Sequence, residues 1–179
     1  MSTLKKIVSL SLLLLLTQLG LVANSQEQSM RLGTPVSEEQ LRDFDLIAPP
    51  DGSGFPAGSG TARQGRSVFN TKCAVCHAEN GEGTSAATRL VGGDMHSAGT
   101  PLRTVGSYWP YASTIFDYVR RAMPANAPKS LSNEEVYQVT AYLLFLNEII
   151  PENMVLDSES LLQIEMPNAD GFIDRSQVQ

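Results

Sequence analysis

The sequence predicts an all-α fold, on three observations. No segment alternates apolar and polar residues in the manner of a half-buried strand. Three stretches between residues 61 and 147 carry apolar residues at helical spacing. The chain's only two cysteines fall in one five-residue motif, Cys73-Ala74-Val75-Cys76-His77, whose spacing suits one helical turn. The predicted order is a leader at 1–25, an N-terminal arm at 26–60, a helical domain at 61–147 and a C-terminal tail at 148–179 that wraps the core or a partner.

The leader opens on Lys5 and Lys6, and Ile7 to Leu16 is apolar apart from Ser9 and Ser11. Ala23-Asn24-Ser25 puts small residues at both positions that specify cleavage. These are the parts of a secretory signal peptide, cut after Ser25. A retained anchor is the alternative, but Thr17, Gln18 and Gly20 interrupt the run short of the ~20 apolar residues that a bilayer span needs. No cysteine near the cut could take a lipid. The chain is therefore expected in the periplasm, with no stable membrane span.

The chain carries 13 basic and 19 acidic side chains, net −6. Loss of Lys5 and Lys6 with the leader leaves 11 against 19, net −8. Such a balance argues against a nucleic-acid partner. It permits steering toward a basic protein partner, although solubility alone is the plainer reading. The arm is rich in turn formers, with Pro49-Pro50-Asp51-Gly52-Ser53-Gly54 and Pro56-Ala57-Gly58-Ser59-Gly60. One short helix is expected there, with Ser37 as N-cap, Gln40 completing a capping box, and Leu41 and Phe44 on one face.

The first core helix runs from about Ala62 into the cysteine motif, with Gly65, Val68, Phe69 and Lys72 at helical spacing. Gly65 omits a side chain where another helix can approach. C-x-x-C-H is the attachment pattern of a c-type haem. Cys73 and Cys76 can add across the two vinyl groups of one porphyrin, and His77 then lies under the iron as an axial ligand. With two cysteines, neither a four-thiolate zinc site nor a cysteine-ligated iron–sulfur cluster is possible. A thioredoxin-like redox pair is the competing reading, but the strand and βαβ frame it needs are not visible. No second motif occurs, so one covalent haem c is expected.

The second helix runs from about Ser113 to Ala122, with Ile115, Phe116 and Val119 inward and Arg120 and Arg121 in the last turn, where the helix dipole favours cations. Met123 follows, and Pro124 biases it to extended dihedrals. A methionine leaving a helix on such a loop, 46 residues after His77, can present its thioether to the iron's other face. An ordinary core methionine is the alternative reading. Met95, His96, Met154 and Met166 are the rival ligands. The third helix has Ser132 as N-cap, Glu135 completing a capping box, and Leu131 and Val136 as a hydrophobic staple. Val136, Val139, Thr140 and Leu143 line one face. Tyr137, Ala141, Tyr142 and Phe145 make the others apolar too, so burial on more than one side is expected. The tail holds Leu161, Leu162, Ile164 and Met166 with little regular pattern.

These parts together (a helix ending in C-x-x-C-H, the loop Ala78-Glu79-Asn80-Gly81-Glu82-Gly83 with Leu90-Val91-Gly92-Gly93, Ala122-Met123-Pro124 and a last helix ending in aromatics) resemble the class I cytochromes c over 61–147. That family usually places a proline in the loop, whose carbonyl holds the proximal histidine; residues 84–93 contain none. The second-shell partner of His77 is thus left to some other carbonyl of the loop. Longer stretches also match. They include Thr104-Val105-Gly106-Ser107-Tyr108-Trp109-Pro110-Tyr111, Ala141-Tyr142-Leu143-Leu144-Phe145, Met166-Pro167-Asn168-Ala169-Asp170-Gly171-Phe172 and Asp51-Gly52-Ser53-Gly54-Phe55-Pro56. They resemble the cytochrome subunits of bacterial sulfite dehydrogenases and of the related sulfane dehydrogenase. The second haem domain usual in the latter is not seen, which favours the single-haem sulfite type.

The resemblance implies a molybdopterin catalytic subunit as electron donor and a downstream cytochrome c or oxidase as acceptor. It also implies that Trp109 donates its indole N–H to a haem propionate, with Arg120 or Arg121 on the same carboxylate; a core tryptophan and solvated arginines are the plainer reading. Tyr108, Tyr111 and Tyr118 are expected to pack. His77 and His96 are the only histidines, so no Ser/His/Asp set is available and the chain alone is not expected to be an enzyme. Three readings follow: the electron-transfer subunit of a sulfite dehydrogenase, a free-standing periplasmic carrier, or a haem enzyme or sensor with an open axial site.

Overall fold

The computed structural model describes residues 33–41, 44–173 and 175; the leader, 1–25, lies outside them. The chain divides into two units, Met1–Glu38 and Glu39–Gln179; of the first, only residues 33–38 are described, all exposed. The helices are α1 (Glu38–Leu41), α2 (Ala62–Lys72), α3 (Ala74–His77), α4 (Ala112–Ala122) and α5 (Asn133–Leu146), followed by a 3-10 turn at Ser160–Gln163. Among the described residues no strand forms, only two isolated antiparallel bridges, Gly60 with Leu156 and Tyr111 with Glu165. No helix among them is long and apolar enough to cross a membrane. The turn α1 buries nothing, and Leu41 and Phe44 stay exposed.

The single helix expected from Ala62 into the cysteine motif is two. Cys73 leaves helical geometry at φ −122°, ψ −37°, so α2 ends at Lys72 and α3 restarts at Ala74. The start of α2 is a capping box that the sequence shows as Thr61-x-x-Gln64. Thr61 N donates to Gln64 Oε1 at 2.9 Å, and Gln64 N donates to Thr61 Oγ1 at 3.4 Å. The box at Ser132 and Glu135 also forms, and the other oxygen of Glu135 accepts from Lys72 Nζ at 2.6 Å. The start of α5 is thereby tied to the end of α2.

That packing is the centre of the core. Gly65 lies directly against α5: a Cβ there would stand 1.9 Å from the Gln138 carbonyl oxygen and 2.8 Å from Tyr142 Cβ. Phe69 meets Tyr142 edge to face at 5.4 Å, and Phe116 of α4 meets Tyr137 at 4.5 Å. α5 buries Val136, Tyr137, Val139, Thr140, Ala141, Tyr142, Leu143 and Leu144, which is burial on several sides.

Residues 46–56 of the arm and part of the tail pack on these helices. In the arm, Ala48 is buried and its N–H donates to Asp117 Oδ1 at 2.9 Å. Arg120 Nη1 donates to the carbonyls of Leu46 at 3.1 Å and Gly54 at 3.0 Å. Phe55 packs on Phe116, and the Tyr137 hydroxyl donates to Pro56 O at 3.0 Å. In the tail, Leu156, Leu161 and Met166 are buried, and Asn168 Nδ2 donates to Tyr108 O at 2.8 Å.

The arm's anchor is acid-sensitive. Burial raises the pKa of Asp117, but hydrogen bonds from Arg121 and Ala48 N–H and the charges of Arg121 and Arg120 outweigh it, leaving the carboxyl below its ordinary value. A depressed folded-state pKa gives stability that is complete above the unfolded value, about 3.9, and is lost as pH falls through the folded one. The arm should therefore loosen only in that acid range, seen as faster hydrogen exchange at Ala48. Asp117→Asn should loosen it at neutral pH and remove the pH step. An Ala48 amide that exchanges equally slowly in both proteins would refute the anchor.

Candidate functional site

The Cys73–His77 segment forms a single turn because α2 breaks at Cys73 and the chain turns away at Ala78, which sits at φ 63°, ψ 170°. That is a region favoured by glycine, so the residue after His77 is held in a strained backbone. Cys73 and Cys76 are free thiols, both half-buried, and no disulfide joins them. Burial foremost, with a contribution from Cys76, pushes the Cys73 thiol up to about 11 against the opposing charge of Lys72. A redox-active pair needs the reverse, a thiol whose pKa is lowered. Val75 between them is exposed.

His77 Nδ1 lies 3.3 Å from the carbonyl oxygen of Thr88. A carbonyl only accepts, so this bond puts the imidazole proton on Nδ1 and leaves the Nε2 lone pair free. Thr88 thus supplies the loop carbonyl that the sequence left unassigned. Backbone carbonyls belong to every residue, so no side-chain pattern could have singled it out. The loop is tied down on the same side. Gly83 N–H donates to His77 O at 2.9 Å, and Thr84 Oγ1 donates to Cys76 O at 2.6 Å. Leu90 N–H closes the neck onto Gly81 O at 2.8 Å.

Met123 caps α4 at φ −116°, ψ 150°, the extended geometry that Pro124 imposes, and is half-buried. Trp109, also half-buried, meets Tyr118 of α4 edge to face at 5.8 Å. Arg120 is turned to the arm by Nη1, so only its other N–H groups could serve a haem carboxylate; Arg121 pairs with Asp117. Of the tyrosines read as packing residues, Tyr111 and Tyr118 are about half exposed (50% and 46%), and Tyr108 packs on Phe172. Among the rival ligands Met166 is core, Met154 is half-buried against it, and Met95 and His96 line a shallow cleft with Gly92, Gly93 and Asn147. Cys73, Cys76, His77 and Met123 do not line that cleft.

The residues fit a haem. Two unpaired thiols and an imidazole with a free Nε2 share one turn. Cys73, Ala74, Leu90 and Trp109 are apolar groups only partly covered by the core. Among the described residues no group of three His, Cys, Asp or Glu could hold a metal ion by itself.

Residues 60–143 match the family model described as cytochrome c oxidase, cbb3-type, subunit III. In structure the chain is similar to a chain of the sulfane dehydrogenase SoxCD from Paracoccus pantotrophus. The TM-score is 0.76 and the identity 38%, over 84% of this chain and 75% of that one. The likeness therefore reaches beyond 60–143 into the flanks.

Proposed function

This chain belongs to the cytochrome c family, with the all-α class I fold and the electron-transfer role that go with it, and we propose that it is the single-haem, electron-accepting subunit of a molybdenum sulfite, or related sulfur-compound, dehydrogenase. Cys73 and Cys76 would hold the haem covalently. His77 and Met123 would take the iron's two axial positions, and Trp109 and Arg120 would contact a propionate. The bound haem supplies a one-electron iron couple, whose potential His/Met ligation raises. The chain's own part is to fix the His77 imidazole by Thr88 and to present Met123.

One observation carries the partner. A haem carrier needs little beyond the 61–147 core, yet the similarity to a sulfane dehydrogenase chain covers 84% of this one. The arm and tail would serve as the surface that a catalytic subunit grips. We place the mature protein in the periplasm, where covalent haem is attached, and a downstream cytochrome c or oxidase as its acceptor. The test is purification from native periplasm. The expected result is co-elution with a molybdopterin protein, and bleaching of the oxidised haem spectrum when sulfite is added. Elution as a lone monomer that such a partner does not reduce would leave the free-standing carrier. Carbon monoxide binding to the reduced protein at neutral pH would favour an open-site enzyme or sensor instead.

A further inference from the structure

The loop that faces His77 is held by a residue far from it in sequence. Asn147 caps the end of α5 and is half-buried. Its Oδ1 accepts from Gly92 N–H at 3.0 Å, and its Nδ2 donates to Leu90 O at 3.3 Å and to Leu143 O at 2.8 Å. One side chain thus joins the last helix to both sides of Val91. Gly106 leaves room for it: a Cβ there would lie 2.1 Å from Asn147 Oδ1. From the other side, Thr104 Oγ1 donates to Gly92 O at 2.6 Å.

These bonds meet at the neck of the loop that carries Thr88. Leu90, one neck residue, pairs with Gly81, and Thr88 stands two residues before it. The loop has no proline between 84 and 93 to stiffen it. Its position depends on the neck, and among the described residues Asn147 is the only side chain hydrogen-bonded to both Leu90 and Gly92.

We infer that Asn147 is a positioning residue for the axial histidine: by clamping Leu90 and Gly92 to α5 it holds the Thr88 carbonyl against His77 Nδ1. The inference rests on the reading of His77 as an iron ligand. A carbonyl that accepts from Nδ1–H makes the imidazole a stronger donor, which favours the oxidised iron. Loosening it should shift the couple toward the reduced form.

The test compares Asn147→Ala, Asn147→Asp and Asn168→Ala in the full haem-loaded protein. Asn168→Ala removes one hydrogen bond of the tail to Tyr108 O and controls for general destabilisation. Asn147→Ala is expected to move the potential positive, by up to about tenfold in the redox equilibrium, about 59 mV for one electron. The His77 Nδ1 proton of the reduced protein should exchange faster with solvent. Asn147→Asp keeps the acceptor for Gly92 N–H and should fall between the parent and Asn147→Ala. Should Asn147→Ala not fold, the same two readouts on Asn147→Asp decide. If the Asn147 variants lower the melting temperature as Asn168→Ala does, with potential and Nδ1 exchange unmoved, Asn147 is only a helix cap and the inference is overturned. A parent protein without a histidine-ligated haem spectrum would overturn the reading beneath it, which is a different result.

Discussion

Gly65→Ala is expected to lower the melting temperature by roughly 6 °C or more, a loss of about 2 kcal/mol. Two effects oppose each other. Alanine is the better helix former by about 1 kcal/mol in a helix interior. Against it stands the added methyl, 1.9 Å from the Gln138 carbonyl oxygen and 2.8 Å from Tyr142 Cβ. The first obstacle is backbone and cannot rotate away, so α2 and α5 must separate. Overpacking of that kind costs about 1–3 kcal/mol, and rigid backbone on both sides puts this case at the upper end. Separation also opens the Phe69–Tyr142 contact and draws Lys72 from Glu135. Ser67→Ala, at an exposed position of the same helix, should stay within about 0.5 kcal/mol of the parent. Thermal unfolding of the three proteins decides it; a Gly65→Ala protein melting at or above the parent would mean that the two helices do not meet there.

The contact at Gly65 was readable because a glycine at helical spacing inside an apolar stripe has few other uses. The third helix was readable for the same kind of reason: Ser132 and Glu135 act through local bonds, and local bonds leave local patterns. The box at Thr61 and Gln64 is equally local and shows that the pattern can be present and pass unread. Cys73 is different. Its break from helical geometry follows from no propensity of Lys72, Cys73 or Ala74. The partner of His77 was legible only as some carbonyl of its loop; that it is Thr88 was not, since Thr88 contributes only its carbonyl, and what places that carbonyl is Asn147, 59 residues further on. Arg120 carries the same lesson. The resemblance implies a haem carboxylate for it; that its Nη1 also holds Leu46 and Gly54 of the arm was not legible in the sequence. Long-range bonds to backbone atoms are where side-chain patterns stop informing.

Met123→Ala is expected to give the largest functional change: a potential lower by at least a tenfold step in the redox equilibrium, about 59 mV, loss of the weak far-red band of a methionine–iron bond in the oxidised protein, and carbon monoxide binding when reduced. A thioether favours reduced iron, and its loss leaves the position to water or an added ligand. The fold should survive. Alanine adopts φ −116°, ψ 150° without strain, the Met123 N–H keeps Val119 O at 3.2 Å, and the turn from Pro124 O to Ala127 N–H at 2.9 Å does not involve the side chain. Losing a half-buried methionine costs about 2 kcal/mol. The structure also narrows the rivals. Met166 is 2% exposed in the core, where the Tyr111–Glu165 bridge and the Met166 O–Ala169 N bond flank it, so it cannot swing out without unmaking the tail. Met154 is half-buried and packs against the core. Of the rival methionines, Met95 alone sits in a loop whose glycines would let it move, next to the rival His96, and Met95→Ala is the matching control. Retention of the far-red band in Met123→Ala, with its loss in Met95→Ala, would transfer the ligand to the cleft at Gly92 and Gly93. Retention in both would leave Met123 a packing residue and pass the iron's methionine to Met154 or Met166.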